Sequence, residues 1–289
     1  MAITAQLVKQ LRDKTGAGMM DCKKALIEAD ADFEKAIEIL RKKGASVAAK
    51  RAERTASEGI VLTKMSDDSS KGIMVEVNCE TDFVAKSDDF VNFANFVLEA
   101  VIANEPKDVE SLLALSHDNK SVQEELTNII GKIGEKIEIS RFTINTADDG
   151  ILVDYIHHGS KLGVLIRVDN VTSDGKDEMH SFAKDIAMQV AAMKPSYVTR
   201  EDVPEETLSK EKEIYKEVAK KEGKPEHILD KIAEGKLNKF FQENCLIEQA
   251  SIKDNSKSVG EMLKDFNQKF SSESKIKLFH RFHLSDENK

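Results

Sequence analysis

The chain spells out one structural unit twice, and this repetition limits its fold more than any other feature. Gly59-Ile60-Val61-Leu62 is followed, 13 residues after Gly59, by Gly72-Ile73-Met74-Val75-Glu76-Val77-Asn78. Gly150-Ile151-Leu152-Val153 is followed, 13 residues after Gly150, by Gly163-Val164-Leu165-Ile166-Arg167-Val168-Asp169. These β-branched runs read as strand pairs. Each pair leads to a helical pattern marked by Phe-Ala, at Phe93-Ala94 and at Phe182-Ala183. Each unit closes with a third strand, Lys136–Phe142 in the first and Lys275–Phe282 in the second. Two ββα…β units predict an α+β fold with a duplicated core of two pseudo-symmetric subdomains.

The second unit is much longer between its helix and its last strand. Pro204 to Glu222 is mostly charged, with Leu208, Tyr215, Val218 and Ala219 as its apolar residues. Gly223-Lys224-Pro225 makes a turn, after which Leu229, Ile232, Ala233, Leu237 and Phe240 share one face. The pattern predicts an inserted helical hairpin whose narrow stripe pairs its own helices and little else. The arm is then either a contact or dimerisation element, or a surface insertion without function. Ahead of the core, Ile3, Leu7, Val8 and Leu11 form one helical stripe, Met19 to Ala29 a second helix, and Phe33, Ala36, Ile37 and Leu40 a third. Asp32 caps that third helix and Gly44 is expected to end it, with Ala45–Thr55 a helical or flexible linker. The predicted divisions are a head at 1–54, a first subdomain at 55–147, a second at 148–195 and 237–289, and an arm at 196–236.

Charge and cysteine usage narrow the function. Residues 1–55 carry 12 Lys+Arg against 8 Asp+Glu, a net +4, while the remainder carries −13 of the total −9. A small basic head on an acidic body favours a protein partner over direct nucleic-acid binding. No apolar run approaches a membrane span, and Met1–Gln6 lacks the basic start of a signal peptide. Cys22, Cys79 and Cys245 are far apart and odd in number, which points to a reducing, cytoplasmic setting without disulfides or a zinc motif. Nucleophile–base and nucleotide-loop motifs are missing, and His157 and His158 are unsuited to hold one metal together. No catalytic, cofactor-binding or metal-ligating residue is therefore expected. Three classes stay open on these grounds: a protein-binding adaptor, an RNA-binding factor using the basic head, and an unrecognised hydrolase.

One segment stands apart from the periodic elements. The strand ending at Val77 runs into Asn78-Cys79-Glu80-Thr81-Asp82-Phe83-Val84-Ala85-Lys86, and Ser87 then caps a helix carrying Phe90, Phe93, Ala94, Val97 and Val101. Thr81-Asp82-Phe83 puts a carboxylate and a large ring at a strand-to-helix junction. The ring either plugs its own core or reaches into a partner.

Two long motifs, Lys14-Thr15-Gly16-Ala17-Gly18-Met19-Met20-Asp21-Cys22-Lys23-Lys24-Ala25-Leu26 and Val77–Lys86, resemble the signatures of bacterial translation elongation factor Ts. His158-Gly159 with Leu162–Leu165, and Val259-Gly260-Glu261-Met262-Leu263, are similar to the same family. The resemblance implies a ubiquitin-associated-like (UBA-like) head, a duplicated core and a coiled-coil arm. It implies a guanine-nucleotide exchange factor for elongation factor Tu, contacting the GTPase domain and a neighbouring domain, with a dimer of heterodimers left open. By that resemblance Thr81, Asp82, Phe83 and Val84 form the exchange wedge. Lys23, Arg51, Ile133, Gly134 and His158 are implied as supporting contacts. Family members often continue into a C-terminal helix. Here only Ser285–Lys289 follows Leu284, so that contact is expected to be reduced.

Overall fold

A computed structural model describes residues 3–286; the readings that touch Met1, Ala2 and Glu287–Lys289 lie outside the described residues. The head holds α1 (Ala5–Thr15), α2 (Met19–Glu28) and α3 (Phe33–Arg51). Thr4 and Asp32 cap the first and third by accepting backbone N–H groups, and Gly16 closes α1 in the left-handed conformation. Val8, Leu11, Cys22, Ala25, Leu26 and Ala36 make its small core.

Gly44 does not end α3, which continues as helix to Arg51, through most of the expected linker. The reason lies far along the chain. A Cβ on Gly131 of α7 (Val122–Ile133) would stand 2.8 Å from Gly44 Cα, so the two backbones touch at paired glycines. Close helix contact offsets the ~1 kcal/mol that a glycine costs inside a helix. Val47 and Ala48 then pack on the core of the first unit.

The first unit contains β1 (Glu58–Met65), β2 (Lys71–Cys79), α4 (Asp82–Ala85), α5 (Asp88–Asn104), α6 (Val109–Leu113), the short β3 (Ser116–His117) and β4 (Lys120–Ser121), α7, and β5 (Ile137–Thr146). The second contains β6 (Gly150–Ile156), β7 (Leu162–Asp169), α8 (Lys176–Met193), the arm helices α9 (Glu205–Lys221) and α10 (Leu229–Asn244), α11 (Val259–Phe270), and β8 (Lys275–His283). Both main sheets are three-stranded and antiparallel, in the order β1-β2-β5 and β6-β7-β8. Their ladders shift register at matching places, between Glu76 and Val77 and between Arg167 and Val168. The leading glycines are also equivalent. A Cβ on Gly59 would fall 2.1 Å from Val77 O, and one on Gly150 2.0 Å from Val168 O. The duplication read from spacing is therefore a duplication of backbone.

The central strands β2 and β7 are buried on both faces, which explains their near-continuous apolar runs. Ile73, Val75 and Val77 face α5 in one cluster, and Val164, Ile166 and Val168 share a second with Met179, Ala183 and Val190 of α8. The alternate residues Val61, Met74, Leu152 and Leu165 meet between the sheets, with Phe282 and Leu284. The layers run helix, sheet, sheet, helix.

In the arm, Ala219 and Ala233 are fully buried, Lys216 pairs with Asp230, and Lys236 lies over the Tyr215 ring. Its second helix runs unbroken to Asn244, past the boundary drawn at 236. The stem is held by backbone bonds from Leu246 N–H to Tyr197 O (2.9 Å) and from Ile247 N–H to Val198 O (3.1 Å).

Candidate functional site

β2 delivers the chain to the site. It is the central strand of its sheet and is buried from Gly72 to Cys79. Beyond it, Thr81 adopts an extended conformation and its hydroxyl accepts the Val84 N–H, starting the four-residue α4. Phe83 thus sits inside a short helix rather than outside every periodic element. The phase of that helix buries Ala85, half-buries Val84 against the first core, and turns Phe83 outward at 83% exposure. A core role for the Phe83 ring is excluded in the free chain. Ser87 caps α5 as the sequence predicts, accepting from Phe90 N–H.

Two glutamates cross-link this turn to the loop after α7. Glu135 accepts the Thr81 N–H at 3.1 Å and the Thr81 hydroxyl at 2.8 Å. Reciprocally, Glu80 accepts the Lys136 N–H at 2.7 Å. Arg51 reaches Glu80 at 3.2 Å and Arg54 at 3.1 Å. Burial of Glu80 works against its charge, but the Lys136 N–H and the two guanidinium groups prevail and hold its carboxyl below the ordinary value. Ile133 and Gly134, the end and left-handed cap of α7, directly precede Glu135 and so stand beside Thr81.

The β6–β7 turn completes the cluster. Ser160 O accepts the Val61 N–H at 2.7 Å and Lys161 pairs with Glu58, which ties the turn that carries exposed His158 to β1. Asp82 bonds Lys86 at 2.8 Å. That bond first, and Lys161 after it, keep the Asp82 carboxyl below its usual range. Contacts thus bring Thr81 to the loop that follows Ile133-Gly134, and Lys161 of the β6–β7 turn comes near Asp82. Arg51 joins them through Glu80, so its guanidinium is committed within the chain. Lys23 does not join through these contacts. It lies on the exposed face of α2, at helical spacing from the exposed Met19, Met20 and Ile27.

Sequence reasoning missed the Glu80–Glu135 clasp and Arg54. Both glutamates lie next to residues it selected, but no periodicity relates two loops 54 residues apart. The exposed Met19-Met20 pair stands at the start of α2, inside the first of the two long motifs.

Burial, with the nearby Glu135 charge, pushes the Cys79 thiol up to about 12, so it holds its proton at neutral pH. Among the described residues no cluster of three His, Cys, Asp or Glu side chains could hold a metal ion. A cleft of about 440 Å³ runs between the head and α5 and α7, lined in part by Lys14, Gly16, Asp89 and Lys132. Phe83 does not line it.

The family model described as elongation factor TS matches residues 80–286. The chain is 46% identical over 288 residues to the elongation factor Ts of Chloroherpeton thalassium, covering 98% of this chain and 99% of that protein. It is 49% identical over 286 residues to that of Chlorobaculum parvum, covering 98% of each. Against that of Clostridium perfringens it is 47% identical over 281 residues, covering 97% of this chain and 92% of the relative.

Proposed function

The chain belongs to the elongation factor Ts family, and from that premise we propose that it is a guanine-nucleotide exchange factor for elongation factor Tu, acting in the cytoplasm during translation elongation. It acts by binding, without covalent chemistry and without a cofactor of its own. The observation that carries the reading is Phe83: a large ring 83% exposed on a capped and clasped turn.

A nanomolar nucleotide is held by about 12 kcal/mol. An exchange factor lowers that by binding the empty GTPase better than the loaded one, and the coupling is reciprocal. Phe83 enters the GTPase domain as a wedge with Asp82 beside it, which disturbs the magnesium and phosphate site and loosens GDP. Val84 and Thr81 hold the wedge, and Ile133, Gly134 and His158 flank it on the partner. The head acts as a UBA-like docking module through the face that bears Lys23, and the core reaches the domain next to the GTPase domain. The arm is a coiled-coil hairpin available for secondary contacts, including a dimer of heterodimers. Neither direct nucleic-acid binding nor membrane association is part of this reading; no described helix is long and apolar enough to cross a membrane.

The test is release of a fluorescent GDP from preloaded elongation factor Tu into excess unlabelled GTP. Catalytic amounts of this protein should accelerate release by orders of magnitude, while an unchanged rate overturns the proposal.

A further inference from the structure

The second unit repeats the strands that lead to the wedge, but enters its helix through a three-residue 3-10 turn, Ser173–Gly175, in place of the capped α4, and omits the glutamates. Counting out from the matching register shifts, Val171, Thr172 and Ser272 stand where the first unit has Glu80, Thr81 and Glu135. The threonine is kept and both acids are gone. The Thr172 hydroxyl is buried without a hydrogen-bond partner, whereas the Thr81 hydroxyl donates to Glu135 and accepts from Val84 N–H. Ser272 turns away to Asn267. The residues after Thr172 are Ser173-Asp174-Gly175, with no exposed aromatic. Where the clasp is missing, the capped α-turn is missing too, and an uncapped 3-10 turn takes its place. The clasp occurs in the unit that presents a ring.

We propose that Glu135 is a positioning residue for nucleotide exchange: by taking both the backbone N–H and the hydroxyl of Thr81, it fixes the turn that aims Phe83, with Glu80 closing the clasp from the other loop. The proposal rests on the exchange reading above. Its physical basis is the shortness of α4. Four residues cannot sustain a helix alone, because nucleation fixes several dihedrals for the first hydrogen bond. The orientation of Phe83 is only as definite as that of Thr81, its cap. Arg51 belongs to the same device. Its bond to Glu80 joins the end of α3 to the base of the wedge, so movement of the head is felt at Phe83.

The test compares Glu135→Ala, Glu135→Gln, Phe83→Ala and the Glu135→Ala/Phe83→Ala double variant in the full chain. Fluorescent-GDP release from elongation factor Tu is measured together with amide hydrogen exchange at Thr81–Ala85. A side chain that must be ordered on binding costs a factor of about three to ten, so Glu135→Ala should slow stimulated release by about that much. Exchange at the Thr81 amide should rise. Glu135→Gln keeps one acceptor for Thr81 and should fall between wild type and Glu135→Ala. A residue that acts through the ring has nothing to act on once the ring is gone, so in the Phe83→Ala background Glu135→Ala should change release by less than about twofold. Equal slowing in both backgrounds, or no slowing in either, overturns the proposal. Failure of wild type to release GDP would instead sink the exchange reading, and unchanged Thr81 amide protection in Glu135→Ala would sink the clasp independently.

Discussion

Phe83→Ala separates a wedge from a folding residue more cleanly than any other single change. In the free protein the ring is 83% exposed, so truncating it removes almost no buried area, and alanine suits the helix at that position better than phenylalanine. The stability change should stay within about 0.5 kcal/mol, the range of an exposed substitution. In the complex the balance is reversed. Burying a phenylalanine side chain is worth about 1.5–3 kcal/mol, and most of the ring is still available to a partner. If that energy is realised where GDP is displaced, its loss slows stimulated release by about 10- to 150-fold. Stopped-flow release of fluorescent GDP at saturating factor, beside thermal melts of the free variant, measures both quantities. A variant that melts several degrees lower while keeping its exchange rate would mean that the ring supports the fold. A variant that melts normally and still exchanges within twofold of wild type would mean that the ring is not the wedge.

Other positions test the scaffold. Gly131→Ala should destabilise despite its gain in helix propensity, because the new Cβ meets the Gly44 backbone at 2.8 Å and neither helix can yield cheaply; about 1–3 kcal/mol is the usual cost of overpacking. Gly235→Ala in α10 meets nothing within 4 Å and should stabilise by about 0.5–1 kcal/mol, so melts of the two variants should move in opposite directions. Glu80 has a carboxyl pKa held below its ordinary 4.5, so its contribution is complete above that value and is lost as pH falls through the folded-state value; Glu80→Gln should flatten the acid limb of the melting profile, and an unchanged limb would refute this. Replacing residues 204–241, above the Tyr197–Leu246 stem, with a Gly/Ser loop should leave the far-ultraviolet signature of the two sheets intact and slow exchange less than Phe83→Ala; insoluble protein would mean that the arm completes the core.

What was legible in the sequence was what local physics dictates. The paired strands are legible because each is a largely apolar run opened by a glycine, and the leading glycines recur because a Cβ would strike a carbonyl in either unit. Ser87 and Asp32 were readable as helix starts because capping is decided within four residues. Gly44 was misread for the complementary reason. Its place inside α3 is set by Gly131, which no local pattern relates to it. The arm boundary at 236 fell short although Leu237 and Phe240 continue the apolar stripe; the helix ends at Asn244, where the chain returns to Tyr197. At the site, the motif identified Thr81 to Val84. Whether Phe83 pointed inward or outward depended on the phase of a four-residue helix, and that phase depends on Glu135.

A wedge transmits free energy only if its mount is harder to deform than the partner it enters. β2 is held between β1 and β5, covered by α5 on one face and by the second sheet on the other. Its polar residues are tied down as well. Asn78 donates to Glu58 O and accepts the Ser140 hydroxyl. Glu76 is fully buried and pairs with Arg141 at 2.8 Å, and Arg141 reaches on to Asp286 and lies over Phe282. Removing one partner of a buried pair such as Glu76–Arg141 costs about 3–5 kcal/mol. Coupling between two ligands of one protein is typically about 1–3 kcal/mol. The strand behind Phe83 thus withstands more than exchange asks of it. The weakest link lies between strand and ring, at the two residues Glu80 and Thr81, and that is where the first unit differs from the second by two glutamates.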